Sequence, residues 1–330
     1  MALRRTLGRI TAPMLAASLL AACGGGDDGA TADQALASDD PVQITVGALP
    51  VADMAGLHLA DREGFFAEEG LDVTIEPIAG GAAGVPAMVS GELQFSTTTW
   101  PSVILAKAQG LDLKMVQENS GNAPGVNAIL TSADAPYQDG ADLEGTTIAV
   151  NLLGGVTEIQ VRDCLKSAGL EPGEYNLVEI PFPDQVAAIE GGQIQAGLVA
   201  EPFVTISKDQ GARVVVDTPV CNEGMKTFPV LGWATTADYA SENPQVTAAF
   251  QRAVERGMAL AQSDPAAVSE IVQTFTTLTP ELAARMTQPG WLEDRAPSLE
   301  RAEYTQDLMV EYGLLEEPVE DLESTVYSAG

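Results

Sequence analysis

From Val42 onward, short runs of β-type residues alternate with stretches in which apolar side chains recur at helical spacing. That alternation describes an α/β protein with largely parallel sheets. Ile44 to Leu49 reads as a first strand, Met54 to Glu69 as a helix stopped by Gly70, and Val73 to Ile78 as a second strand. The spacing next predicts a helix over Gly84 to Ser90, a strand at Leu93 to Ser96, a helix at Val103 to Gln109 and a strand at Asp112 to Gln117. A second α/β unit begins after the turn-rich Asp134 to Gly140. Its strands read as Thr147 to Asn151, Leu177 to Ile180, Ala196 to Ala200 and Ala212 to Val216, with helices at Thr157 to Ala168 and Asp184 to Glu190. The chain then returns through a strand at Val230 to Thr235. Helices follow at Gln245 to Ser263, Pro265 to Phe275, Glu281 to Gln288 and Ser298 to Tyr312, and the acidic tail after Leu315 reads as loosely packed.

The first 22 residues break this pattern. Arg4, Arg5 and Arg9 precede an apolar stretch from Met14 to Leu20 and a small-residue exit before Cys23, the arrangement of a removable export signal. The stretch is well short of the roughly 20 residues a membrane span needs. Residues 23 to 41 then read as a flexible tether, because Gly, Ala, Ser and Asp dominate and large apolar residues are almost absent.

Composition narrows the partners. With 330 residues, 45% of them hydrophobic, the chain can bury a core large enough for two lobes. Its net charge is −31, and loss of the three leader arginines takes it to −34, which excludes nucleic acid as a partner and describes a solvated acidic coat. One histidine and scattered cysteines cannot make a zinc site. In an exported protein Cys164 and Cys221 are either bridged or two separate buried thiols; spacing alone does not choose.

Four segments resemble a known family. Apart from these four, Leu20-Ala21-Ala22-Cys23 resembles the bacterial lipobox, which implies acylation of Cys23. Gly64-Phe65-Phe66-Ala67-Glu68-Glu69-Gly70-Leu71-Asp72-Val73 is similar to a segment of the ABC-importer solute-binding proteins for alkanesulfonate, taurine, nitrate and thiamine-precursor pyrimidines. Met88 to Phe95, Leu143 to Val150 and Ala196 to Phe203 agree with that family in order and spacing. The resemblance spans Val42 to Leu315. It implies a type II periplasmic-binding fold: lobe 1 from residues 42 to 128 plus 231 to 330, lobe 2 from 129 to 230, and a ligand cleft at the hinge. It also implies an extracytoplasmic monomer, lipid-anchored to the membrane and otherwise free of it, which delivers a small solute to an ABC permease without a cofactor.

Ligands of open α/β sheets sit beyond the carboxyl ends of strands, where loops and helix N-termini present unpaired N–H groups. By that rule the candidate contacts after the first three strands are Asp53 and Met54, Gly80 and Gly81, and Thr97, Thr98 and Trp100. In the second unit they are Asn151, Gly154, Gly155, Val156 and Thr157 around a helix start, with Glu201 and Phe203 after a later strand and Trp233 near the return crossing. His58 reads as one face of a helix. None of these loops carries an arginine or lysine, although planar and doubly charged anions usually recruit arginine forks. An uncharged or nitrogen-bearing ligand follows, held by Asp53 or Glu201 and stacked on Trp100 or Trp233.

The resemblance also brings in an enzyme, the thiamine-pyrimidine synthases of the same superfamily. These consume their own histidine and a bound pyridoxal phosphate, using a lysine and a histidine after the third strand and a cysteine-rich run. Thr98 and Ser102 stand at the corresponding positions here, and a Schiff base needs a lysine. A hydrolase triad would have to recruit His58, and no serine has a nucleophile elbow around it. A binding protein that leaves its solute intact is the reading that remains.

Overall fold

The computed structural model describes Leu36 and residues 40 to 328. The expected export signal at residues 1 to 22, the expected acylation site Cys23 and the expected tether apart from Leu36, Asp40 and Pro41 lie outside the described residues.

Two sheets organise the chain. The first contains β1 (Val42–Ala48), β2 (Leu71–Pro77), β3 (Phe95–Thr98), β4 (Leu113–Gly121), β10 (Pro229–Thr236) and β11 (Gly290–Trp291), in the order β11-β4-β10-β3-β1-β2. The second contains β5 (Asn127–Thr131), β6 (Thr147–Val150), β7 (Asn176–Glu179), β8 (Ala196–Ala200) and β9 (Arg213–Asp217), in the order β7-β6-β8-β5-β9. β1 runs parallel to β2 and β3, and β6 parallel to β7 and β8. β10 and β5, the strands that follow the two crossings between sheets, enter antiparallel. The boundaries expected at 128/129 and 230/231 fall two residues inside β5 and β10.

The helices are α1 (Ala55–Arg62), α2 (Phe65–Glu68), α3 (Gly84–Ser90), α4 (Trp100–Ala108), α5 (Val156–Ser167), α6 (Phe182–Glu190) and α7 (Phe203–Asp209), followed by α8 (Ala237–Glu242), α9 (Pro244–Ser263), α10 (Pro265–Phe275), α11 (Pro280–Ala283) and α12 (Leu299–Glu311). Among the described residues no helix is long and apolar enough to cross a membrane. The single helix expected over Met54 to Glu69 is broken at Gly64, whose φ of 75° is left-handed and favours glycine. α1 and α9 meet where a side chain on Gly257 would lie 2.0 Å from the Gly56 carbonyl oxygen, so glycine is required for their approach.

Phe250 on α9 centres the larger core. It stacks on Phe95 at 4.1 Å and meets the edge of Trp233 at 5.7 Å, against the underside of the first sheet. Such pairs add about 0.5–1.5 kcal/mol each beyond their burial. The tail after Leu315 departs from expectation, for Val326 bridges to Met115 on β4, Tyr327 N–H donates to the Met115 carbonyl at 3.0 Å, and Thr325 is fully buried. Three closely spaced anchors outweigh the repulsion among its acids.

The crossing segments 122–126 and 218–228 run side by side. Gly125 N–H donates to the Asp217 carboxylate at 3.0 Å, and Asn122 N–H donates to the Phe228 carbonyl at 3.0 Å. Cys164 on α5 is bonded to Cys221 in the second crossing, closing a loop of 57 residues. Replacing both cysteines by alanine is expected to lower the unfolding free energy by up to about 4 kcal/mol, the chain-entropy value for a loop of that length. Urea denaturation of the oxidised protein and the double variant measures it, and coincident curves would mean that the native thiols are unpaired.

Candidate functional site

Between the sheets lies a cleft of about 520 Å³ of atom-free space, part of it open to solvent, with walls from both lobes. Strand tips and helix starts build it. β1 ends into Leu49, Val51 and Asp53; β3 ends into Thr99 and Ser102 at the start of α4; β6 ends into Asn151, Leu152 and the start of α5. Phe182 heads α6, Ala200 ends β8, and Val230 and Leu231 belong to β10.

Most of this wall is apolar, and its polar groups are largely engaged. Thr99 caps α4 by accepting from Ser102 N–H at 3.3 Å, and the two hydroxyls lie 3.0 Å apart. Gly81 sits so close to Ser102 and the Thr98–Thr99 backbone that a side chain there would meet them at 3.2 Å. Asn151 spans the lobes, donating to the Ala79 carbonyl at 3.1 Å. At the start of α5, Val156 and Thr157 face the cleft with the positive end of the helix dipole.

Asp53 is the only charged side chain lining the cleft among the described residues. It is 2% exposed, and burial pushes its carboxyl above the usual carboxylate range, with Ser120 pulling the other way. Its backbone carbonyl accepts from Asn119 Nδ2 at 2.8 Å, which fixes the turn that carries it.

Of the expected contacts, the cleft brings together Asp53, Gly81, Asn151, Gly155, Val156 and Thr157. The others are placed elsewhere. Trp100 is buried with its indole N–H donating to Glu118 Oε1 at 2.7 Å, and Trp233 belongs to the Phe250 core, so neither offers a stacking face. Glu201 is buried and accepts from Thr205 N–H and hydroxyl at 3.0 and 2.8 Å and from Thr287 N–H at 3.1 Å; burial pushes its carboxyl up against those hydrogen bonds. It fastens β8 to the segment after α11 rather than facing a solute. Phe203 stands behind Phe182 at 5.8 Å, and Gly154 gives its N–H to Glu158 at 2.7 Å. Met54, Thr97 and Thr98 are fully buried, with the Thr97 hydroxyl donating to the Gly47 carbonyl at 3.2 Å, and Gly80 packs against Asn151 and Leu152. His58 stacks on Phe275 at 3.9 Å, away from the cleft, and burial lowers its imidazole to about 4.

Asn127, Gln160 and Phe182 were not singled out from sequence. Phe182 follows a strand, as the rule for strand-tip loops would have flagged, whereas Gln160 sits a full turn inside α5 and had no local signal.

Residues 51–268, well over half the chain, match the family described as NMT1/THI5 like. The chain belongs to the NMT1/THI5-like family. Among its relatives, a formylaminopyrimidine-binding protein of Halalkalibacterium halodurans is 28% identical over 251 residues, covering 76% of this chain and 73% of that one. A taurine-binding periplasmic protein of Escherichia coli is 26% identical over 213 residues, covering 64% of each. A 4-amino-5-hydroxymethyl-2-methylpyrimidine phosphate synthase of Uromyces fabae is 24% identical over 221 residues, covering 63% of each. The fold is that of the periplasmic binding proteins: the alkanesulfonate-binding protein SsuA from Xanthomonas axonopodis pv. citri, bound to MOPS, superposes with a TM-score of 0.75 at 18% identity, covering 87% of this chain and 99% of that one. Family membership thus spans binders and a synthase, and the contents of the cleft have to separate them.

Asp53 gives a test of the site without ligand. A carboxyl whose pKa rises on folding destabilises the folded protein while ionised, and that penalty disappears as pH falls through the raised value toward 3.8. Asp53→Asn is therefore expected to raise the melting temperature of the ligand-free protein at pH 7 by about 2 to 4 °C, the response of a large domain to about 1 kcal/mol. The difference should shrink on acidification in parallel calorimetric scans; a gain that persists unchanged near pH 4 would contradict the burial argument.

Proposed function

We propose that the protein is an extracytoplasmic solute-binding protein of an ABC importer, a monomer held to the membrane by acylated Cys23, which captures a small neutral nitrogen heterocycle and passes it intact to a permease. The observation that carries the ligand class is the inventory of the cleft: one buried carboxylate, Asp53, and no lysine or arginine among the lining residues. A bare nitrate or sulfonate would meet that carboxylate with nothing but helix N-termini to oppose it. A flat heterocycle offers donors to Asp53, acceptors to the N–H groups at the start of α5, and a face to Phe182 and the aliphatic wall.

Closure supplies the mechanism. A solute touching Asp53 on one lobe and Thr157 on the other favours the closed state by its differential affinity, and the closed form is what a permease would read. No lysine or histidine lines the cleft among the described residues, which supports capture over the Schiff-base chemistry of a synthase.

Isothermal titration with formylaminopyrimidine, taurine and nitrate tests this reading. The pyrimidine is expected to bind, and Asp53→Asn to weaken it by about 10- to 100-fold, as loss of one partner of a buried charged hydrogen bond does. Because the bound solute favours ionised Asp53, affinity should fall as pH drops through the raised carboxyl range, at higher pH than an ordinary aspartate would give. Tight binding of taurine or nitrate with no response to the pyrimidine would sink the heterocycle. Small-angle scattering should in parallel show contraction on loading, and an unchanged profile at saturation would remove hinge closure.

A further inference from the structure

The two crossings meet at one side-chain amide whose orientation is decided by a backbone carbonyl. Asn122, in the first crossing, donates from Nδ2 to the Met225 carbonyl of the second at 2.8 Å. A backbone carbonyl only accepts, so the nitrogen must face it and Oδ1 is left to receive. It receives twice, from Gln160 Nε2 at 2.7 Å and from Asn127 Nδ2 at 3.2 Å. The exchange of nitrogen and oxygen that usually leaves a side-chain amide ambiguous is thereby settled for all three residues.

Gln160 and Asn127 both line the cleft. Gln160 is fully buried, its nitrogen is committed to Asn122, and its Oε1 has no hydrogen-bond partner among the described residues. A buried acceptor in that condition is uncommon in folded proteins and calls for a reason. Turning the amide over would set its oxygen against Asn122 Oδ1, so this cleft-lining residue keeps a buried acceptor that cannot convert to a donor. Asp53, from the other lobe, is an acceptor whenever it is ionised.

We propose that Gln160 is a specificity-determining residue of the cleft, whose Oε1 accepts a hydrogen bond from the solute, so that the solute carries two separate donor groups, one for Gln160 and one for Asp53. The assignment rests on the cleft being the solute site. It narrows the ligand class to heterocycles bearing two donor-carrying substituents and rejects those with one. Asn122 is a positioning residue here: through it the solute's donor is linked to the Met225 carbonyl, hence to both crossings.

A set of three probes tests the assignment on the full chain: 4-amino-5-hydroxymethyl-2-methylpyrimidine, its 4-dimethylamino analogue and its 5-methoxymethyl analogue, each analogue blocking one donor. In the wild type both analogues are expected to bind at least tenfold more weakly than the parent. Gln160→Met, similar in length and without the oxygen, should reduce the penalty of one analogue to under about threefold and leave the other, while Asp53→Leu, which removes both carboxylate oxygens, should do the reverse. Both penalties intact in Gln160→Met would overturn the proposal, as would failure of all three probes to bind; the formylaminopyrimidine titration judges the cleft separately. A measurement independent of the variant's folding uses carbon-13 shifts of the wild type. The Gln160 side-chain carbonyl should move downfield with the parent and not with one of the blocked analogues, and a carbonyl that does not move with the parent would also overturn it.

Discussion

The cleft depends on two crossing segments held at a fixed separation by hydrogen bonds in which a side chain of one grips the backbone of the other. Asn122 reaches the Met225 carbonyl in a buried bond that neither crossing can shed without leaving a polar atom unmet, and Asp217, at the end of β9 where the second crossing begins, takes the Gly125 N–H in a half-buried one. β5 and β10 leave those crossings antiparallel to the strands they join, and this entry aims Asn127 and Leu231 at the same space. The position of the cleft is thus a consequence of the hinge.

Electrostatically the cleft is poised between opposites. The first turns of α4 and α5 contribute partial positive charge, and burial makes Asp53 reluctant to ionise, so that its carboxyl carries negative charge only above its raised range. Neither sign alone satisfies both. A molecule with acceptors on one edge and donors on the other would, which is the reason for proposing an uncharged, two-edged solute. The surface charge governs solubility; one residue governs the interior.

Much of this architecture was legible in the chain. Alternation of β-type and helical runs located β1, β6, β8, α3 and α10 nearly to the residue, because each pattern stops at a glycine, a proline or a polar turn. β5 was missed: Asn127–Thr131 is buried on both faces and shows no alternation to detect. Among the residues lining the cleft, Asp53, Gly81, Asn151 and the start of α5 are those the strand-tip rule picks out, since position beyond a strand is a local property. The tryptophans misled, because a large apolar side chain next to a strand tip has either the core or the cleft to turn toward, and Glu118 and Phe250 decide that from distant sequence. Gln160 was invisible for the same reason, its meaning coming from Asn122 and Met225.

The bond between Cys164 and Cys221 lies on the helix that carries Gln160 and Thr157. Asn222 reinforces it, donating to Asp163 at 2.5 Å and to Ser167 at 2.8 Å, so one wall of the cleft is moored to the second crossing from behind. Protein made in a reducing cytoplasm would present that wall without its covalent mooring. A poor affinity measured on such material would report the redox history of the preparation, and recombinant work on this chain calls for secretion or oxidative refolding.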